Sequence, residues 1–192
     1  YYEEENSEEY NEAYYDEEYP PIDLSIWSDL QYVLEVDSAM MGVGAVHRQY
    51  YGKHVVRTET ITDGGVNVLI FKFKEDGVDE IILLNDKKQY MVNTVSYAEF
   101  FETNDSFANL TSRTLPGEEL AIPGYKKIAE EKYLGRKVEK WSYIDSSQGE
   151  AVTINFLIDR ELRQILKMTF NGEVGYQVTK IEIKDLSSDL FS

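Results

Sequence analysis

The chain has 192 residues, of which 42% are hydrophobic and 13% aromatic, and its formal net charge is −17, from 19 basic and 36 acidic residues. This length fits one domain plus a tail, and the apolar fraction is sufficient for a substantial core. The negative charge disfavours nucleic acids and anionic lipid headgroups as partners, because long-range repulsion opposes their approach. The absence of cysteine excludes disulfides, thiolate nucleophiles and zinc–thiolate sites. No run of residues is long and apolar enough to span a bilayer.

The first 20 residues differ in composition from the rest of the chain. Before Pro20 and Pro21 they contain nine acidic residues, six tyrosines and no basic residue. Dense like charge opposes compaction, and consecutive prolines mark a boundary. We therefore predict an acidic, tyrosine-rich tail over 1–20 and a single domain over 21–192. The tail is interpreted as a tether, or alternatively as a docking segment for a cationic partner.

The domain begins with mixed periodicity and then becomes a series of short strands. Apolar spacing predicts a short helix at about 22–29 that leads into the first strand. The following segments alternate in polarity and are separated by turns rich in glycine, asparagine and aspartate. A shift in apolar parity between Val178 and Ile181 predicts a β-bulge near Thr179. Strands are predicted at 30–37, 43–51, 54–62, 66–74, 80–84, 89–93, 136–144, 152–158, 166–170 and 175–184, with 126–133 left ambiguous.

A central insertion over about 94–124 interrupts the strands. Ser96 and Glu99 have the spacing of a capping box at the start of a helix. Tyr97, Phe100 and Phe101 follow near helical spacing and would form an aromatic stripe. We predict that this helix lies across one face of the sheet, as a packed cover or a lid.

The predicted fold is mainly β within the α+β class. It is an open antiparallel half-barrel of about ten or eleven strands, with helices covering the concave face. Apolar space that a single helix does not fill is costly unless a guest occupies it, so the sequence favours a hydrophobic ligand cavity. The same side chains could instead form a closed core. The predicted cavity residues are Leu69, Phe71, Phe73, Phe100, Phe101, Ile154, Phe156, Ile158, Leu166, Met168 and Phe170.

The sequence offers little chemistry for catalysis or metal binding. His47 and His54 are the two histidines, and on one hairpin they would lie roughly 7 to 13 Å apart with no carboxylate fixed between them. Calcium-loop, phosphate-loop, serine-hydrolase and zinc-protease motifs are absent. We predict no catalytic residue, no metal site and no cofactor.

The layout resembles the LolA-like lipoprotein-localization superfamily and related bacterial envelope proteins of unassigned function. The resemblance is carried by DLSIWSDLQYVLEV, EEKYLGRKVEKWSYID, TINFLIDRELRQILKMTF and the closing DLSSDLF. Its most suggestive part runs from Gly135 to Tyr143 and continues in a strand that ends at Ile158 and Asp159. The resemblance implies a half-barrel closed by helices, outside the cytoplasm, in a family whose carriers hold acyl chains. It transfers no individual residue's role, and lipid anchoring would require a cysteine removed upstream of Tyr1.

Together these observations predict a non-enzymatic, extracytoplasmic binding protein of the periplasm or cell envelope. Its ligand would be hydrophobic, either a lipid or an acyl chain, and an envelope protein could bind the acidic tail. The alternative is an envelope structural or interaction module whose core is filled by its own side chains. An enzyme acting on the envelope is the third hypothesis.

Overall fold

The computed structural model describes residues 28–38, 45–74, 77–85, 88–96, 115, 117, 124–146 and 149–192. These residues form eleven β-strands and one short 3-10 helix at Ser188–Phe191, which we call the C-terminal 3-10 helix. The strands are β1 Tyr32–Ser38, β2 Val46–Gly52, β3 Val55–Thr62, β4 Gly65–Lys74, β5 Gly77–Asn85, β6 Lys88–Ser96, β7 Lys126–Tyr133, β8 Arg136–Asp145, β9 Val152–Asp159, β10 Gln164–Phe170 and β11 Glu173–Ile183.

All eleven strands belong to one antiparallel sheet with the order β6-β5-β4-β3-β2-β1-β11-β10-β9-β8-β7. Strands that are consecutive in the chain are neighbours, except that β6 and β7 form the two edges. The first strand instead pairs with the last. The sheet therefore consists of two meanders, β1–β6 and β7–β11, joined along the β1–β11 pair.

The predicted strands are confirmed to within a few residues at their ends, and the ambiguous segment 126–133 is β7. Glu35 pairs with Lys180 and Val36 pairs with Val178, so Thr179 is the extra residue of a bulge, as predicted. Asn171 and Gly172 both have positive φ, of 49° and 89°, as a two-residue type I′ hairpin turn requires.

The predicted α+β class is wrong, because no described residue lies in an α-helix. The C-terminal 3-10 helix is the one helical element in the described part of the chain. The predicted insertion starts later than 94, because β6 continues to Ser96. The helix predicted at about 22–29 falls almost wholly outside the described residues, and Phe100 and Phe101 fall outside them entirely. The prediction placed helices over the concave face of the sheet. The physical reason that it is wrong is that the sheet curls over its own side chains.

A single hydrogen bond shows how strongly the sheet curls. The Tyr133 hydroxyl at the end of β7 donates to the Val178 carbonyl of β11 at 2.7 Å. Three strands lie between β7 and β11, and in a flat sheet the two would be about 19 Å apart. One side chain cannot cross that distance, so the sheet bends and its two meanders face each other.

The concave face holds the largest cluster of buried apolar side chains, which we call the concave core. Its members come from both meanders and are at most 7% exposed. They are Tyr32, Leu34, Val36, Tyr51, Val56, Phe71, Phe73, Val138, Leu157, Leu162, Leu166 and Val178. Because side chains of β4 and β8 share one cluster, the curled sheet itself covers much of its concave face.

The convex face carries two smaller clusters. One consists of Val68, Ile70 and Ile82, and the C-terminal 3-10 helix covers it with Phe191. Arg57 fixes this helix by donating to the Leu190 carbonyl at 2.8 Å. The chain's last residues thus complete a core on the outside of the sheet. The other convex cluster lies over β8–β10, and its buried members are Leu115, Phe156 and Ile158.

Substituting Tyr133→Phe tests whether the bridge between β7 and β11 stabilises the curled sheet. We expect the free energy of unfolding to fall by about 1 to 2 kcal/mol, because a partly buried hydrogen bond is lost and a carbonyl loses a partner. Urea denaturation measures this change. Tyr143→Phe is the matched control, since that hydroxyl has no hydrogen-bond partner among the described residues. Equal stability losses in the two variants would contradict the bridging role.

Candidate functional site

The structure does not bring the predicted cavity residues together on one surface. Phe71, Phe73 and Leu166 belong to the concave core, and Leu69 packs against it. Phe170 is half-buried at the end of β10, where its ring lies against Gly175. The members of the β8–β10 convex cluster from the predicted set are Ile154, Phe156, Ile158 and Met168.

Strand geometry explains why the predicted cavity residues lie on two different faces of the sheet. Leu157 lies in the concave core, so its neighbours Phe156 and Ile158 project from the opposite face of β9. Leu166 and Met168 are two residues apart and would share a face in a regular strand. In the pairing with β9, however, Ile165 opposes Ile158 and Lys167 opposes Leu157, which leaves Leu166 as an extra residue. This bulge turns Leu166 towards the concave core and Met168 towards the convex cluster.

The concave face of the first meander has two ends of different character. At the closed end, the paired Tyr32 and Tyr51 stack with ring centroids 4.7 Å apart, and each is at most 2% exposed. The Tyr32 hydroxyl donates to the Leu162 carbonyl at 3.0 Å and accepts from the Gln164 amide at 2.8 Å. This end is filled and fully hydrogen-bonded at that hydroxyl, so it acts as a structural core.

Tyr176 extends this tyrosine cluster. Desolvation raises the pKa of its hydroxyl, and the nearby hydroxyls of Tyr51, Tyr32 and Tyr133 raise the pKa further. Four phenol rings from both meanders therefore lie close together in the concavity. Three of their hydroxyls donate hydrogen bonds within the protein: Tyr32 to the Leu162 carbonyl, Tyr51 to Gln49 Oε1 and Tyr133 to the Val178 carbonyl.

Beyond the closed end the same face becomes more polar, and towards β5 it becomes more open. The next row of paired residues runs from Gln49 through Thr58 and Leu69 to Leu83. Leu69 is half-buried and Leu83 is 40% exposed, although both lie on the face that carries the concave core. The apolar concave surface therefore continues beyond the filled core towards β5. We call Leu69 and Leu83 the open concave wall.

The next row beyond the open concave wall contains the buried His47, which pairs with Val36 on one side and with Thr60 on the other. His47 is only 3% exposed. Its Nδ1 lies 3.2 Å from the Thr60 hydroxyl oxygen, whereas its buried Nε2 has no hydrogen-bond partner among the described residues. A buried polar atom without a partner costs about 1 to 3 kcal/mol, so this nitrogen requires an explanation.

A second candidate is a charged cleft of about 450 Å³ between the β7–β8 turn and the β9–β10 turn. Arg136 forms ion pairs with Asp159 and, at 2.7 Å, with Glu161. Asp159 is 1% exposed, and its Oδ1 also accepts from the backbone amides of Glu161 and Leu162 at 3.0 and 3.1 Å. This arrangement fastens the β7–β8 hairpin to the β9–β10 turn.

Glu139 organises the other wall of the charged cleft. It accepts hydrogen bonds from Lys127 at 2.8 Å, Trp141 Nε1 at 2.9 Å and Arg160 Nε at 2.7 Å. Desolvation opposes its charge, but these three donors outweigh it and lower the pKa of Glu139 to about 2. The Arg160 guanidinium also lies 5.6 Å above the Trp141 ring. The charges of the cleft are satisfied within the protein, so we interpret it as a structural network.

This network gives a structural reason for the most suggestive part of the sequence resemblance, which is the segment that begins at Gly135 and the strand that ends at Asp159. Gly135 has a φ of 79° and closes the β7–β8 turn, which sets the next residue, Arg136, opposite Asp159. Sequence reasoning identified the spacing but missed the ion pair. Within the described ranges, no group of three or more metal-binding side chains is assembled, and no helix is long and apolar enough to cross a membrane.

Comparison with known proteins gives no family. No protein-family model and no curated protein matches the chain. Among solved structures, it is similar to an uncharacterized conserved protein from Thermus thermophilus, with 13% identity, 84% of this chain and 83% of that chain covered, and a TM-score of 0.49. It is also similar to PNGF-II, with 14% identity, coverage of 84% of this chain and 29% of that chain, and a TM-score of 0.45. Neither likeness carries a functional argument, and the LolA-like resemblance stays a prediction.

The Glu139→Gln substitution tests the charged network through its pH dependence. A carboxylate whose pKa is lowered from 4.5 to about 2 stabilises the fold above pH 4.5, and this contribution is lost as the pH falls towards 2. We expect the variant to lose about 1 to 3 kcal/mol of unfolding free energy at pH 7. Denaturation at several pH values should show the difference from the unsubstituted protein narrowing between pH 4.5 and pH 2.

The control for this experiment is Glu161→Gln, because the Glu161 side chain is 68% exposed although it also pairs with Arg136. Exposed ion pairs contribute about 0 to 1 kcal/mol, so this variant should be nearly as stable as the unsubstituted protein at every pH. A pH-independent stability difference for Glu139→Gln would contradict the assignment.

Proposed function

We propose that the protein is a non-enzymatic binding protein that holds a hydrophobic ligand, a lipid or an acyl chain, against the open concave wall. One observation carries the proposal: the apolar concave surface continues past its filled core to Leu83, which is 40% exposed on that face. Exposed apolar surface in a concavity favours an apolar guest, because burial contributes roughly 25 cal/mol per Å².

The proposed ligand position is narrower than the set predicted from sequence. The end of the concave face that contains Tyr32, Tyr51 and Phe71 is filled by the side chains of the concave core, and the Tyr32 hydroxyl already has both an acceptor and a donor. Phe71 and Phe73 therefore form the floor beside the ligand, while Leu69 and Leu83 contact it. The residues of the convex cluster take no part in this proposal.

Two further features support a binding role without catalysis. The acidic and basic side chains of the charged cleft bind one another and fix two turns. His47 has a threonine as its hydrogen-bond neighbour, which does not orient or activate a general base as a carboxylate would. A periplasmic or envelope location, lipid anchoring and capture of a partner by the acidic tail stay predictions from the sequence.

A second candidate, the interaction module with a self-filled core, is favoured by the packing of the concave core. Its members Leu34, Val56, Leu162 and Leu166 are all fully buried by the protein's own side chains. In that case no ligand would be bound, and a partner would contact the tail or an edge strand. Organic extraction of the purified protein followed by mass spectrometry separates the candidates. Co-purified lipid supports the binding protein, and its absence together with a partner that is lost on deletion of residues 1–19 supports the module.

A matched pair of substitutions tests the position of the ligand. Leu83→Asp places a charge on the open concave wall, and Val46→Asp places the same charge on the convex side of β2, where Val46 is 45% exposed. We expect Leu83→Asp to weaken binding of a pyrene-labelled acyl probe by about tenfold or more, because a carboxylate would be desolvated against the chain.

The Val46→Asp variant should bind the same probe with an affinity within about twofold of the unsubstituted protein, because that position lies outside the concavity. Fluorescence titration measures both affinities. Similar losses in the two variants, or tight binding by Leu83→Asp, would place the ligand elsewhere.

A further inference from the structure

We propose that the ligand carries an uncharged hydrogen-bonding head group, such as a hydroxyl, and that this group binds Nε2 of His47. The inference rests on the proposed function and adds the chemical class of the ligand. Its basis is the buried imidazole nitrogen without a partner among the described residues, on the same concave face as the partly exposed Leu69 and Leu83.

The position of His47 suits a head-group contact. It lies one row beyond the row that contains Gln49 and Leu69, with Thr60 beside it on β3. From β2 to β5, which carries Leu83, there are three strand spacings, or about 14 Å across the sheet. A single alkyl chain of medium length spans this distance, so one ligand can contact Leu83 with its chain and His47 with its head.

The surroundings of His47 favour a neutral head group over an anion. Its neighbours on the concave face are Val36, Thr60 and Gln49, and none of them carries a charge. Arg48 follows it on β2 but projects from the other face, where it pairs with Glu35. A carboxylate buried at this point would have no cation among these paired neighbours, and burying such a charge is strongly unfavourable.

A hydroxyl also matches both hydrogen-bonding states of the imidazole. If Nδ1 donates to the Thr60 oxygen, Nε2 is an acceptor; if Nδ1 accepts from that hydroxyl, Nε2 is a donor. A hydroxyl can accept or donate and so satisfies either state. A carboxylate can only accept and satisfies one of them.

The test compares 1-dodecanol with dodecanoate at pH 7, each displacing a fluorescent alkyl probe from the full-length protein. We expect the alcohol to bind roughly tenfold more tightly than the carboxylate, the ratio that about 1.4 kcal/mol gives. His47→Phe should weaken alcohol binding about five- to tenfold, as loss of one hydrogen bond predicts, and should leave dodecanoate binding almost unchanged. His54→Asn is the control, since it removes the other imidazole at a residue with a φ of 55° that asparagine tolerates.

A second measurement covers the case in which His47→Phe does not fold. In the unsubstituted protein, dodecanol should shift the ¹⁵N resonance of His47 Nε2 and leave the His54 resonances unmoved. Equal binding of alcohol and carboxylate, or an unmoved Nε2 resonance when the alcohol is bound, would overturn this inference and leave the proposed function standing. Failure of both ligands to displace the probe would overturn the proposed function itself.

Discussion

The pairing of the first strand with the last is the constraint on which the rest of the structure depends. β1 and β11 form seven residue pairs although they lie at opposite ends of the domain. Without this pair, the two meanders would be separate sheets, and neither would enclose a core. Closing such a long loop costs conformational entropy, so we expect the hairpins to form first and this pairing to form late. Val36 and Val178, both buried in the concave core, lie within the joint itself.

Polar bonds across the concavity then fix how far the joined sheet bends. Tyr32 binds the backbone of Leu162, and Tyr133 binds the backbone of Val178, so phenol hydroxyls connect elements that a flat sheet would separate. These bonds are directional, whereas apolar packing alone tolerates a range of curvatures. On the outside, Arg136 and Asp159 perform a similar task for two turns. The filled end of the concavity and the charged cleft therefore maintain the shape of the bent sheet.

The sequence predicts the strands well because alternation and turn chemistry are local signals. The bulge at Thr179 was predictable, since the polarity pattern changes parity there. The bulge at Leu166 was not, because Leu166 and Met168 are both apolar and the pattern continues unbroken. The same ambiguity affects β9, where Leu157 and Phe156 are both apolar and alternation cannot tell the concave face from the convex one. The predicted class was wrong for a non-local reason: the curvature of the sheet, which lets it cover its own core, depends on contacts between distant strands.

The environment of His47 could not be predicted from the sequence. In the sequence it is an ordinary strand histidine, too far from His54 to share an ion. Only the fold reveals that one of its nitrogens is buried without a partner among the described residues, on the same face as a leucine that stays 40% exposed. Each feature alone is unfavourable in a folded protein, since one is an unsatisfied polar atom and the other is uncovered apolar surface. Proteins retain such features where function requires them, and one molecule with an alkyl chain and an uncharged polar head would compensate both.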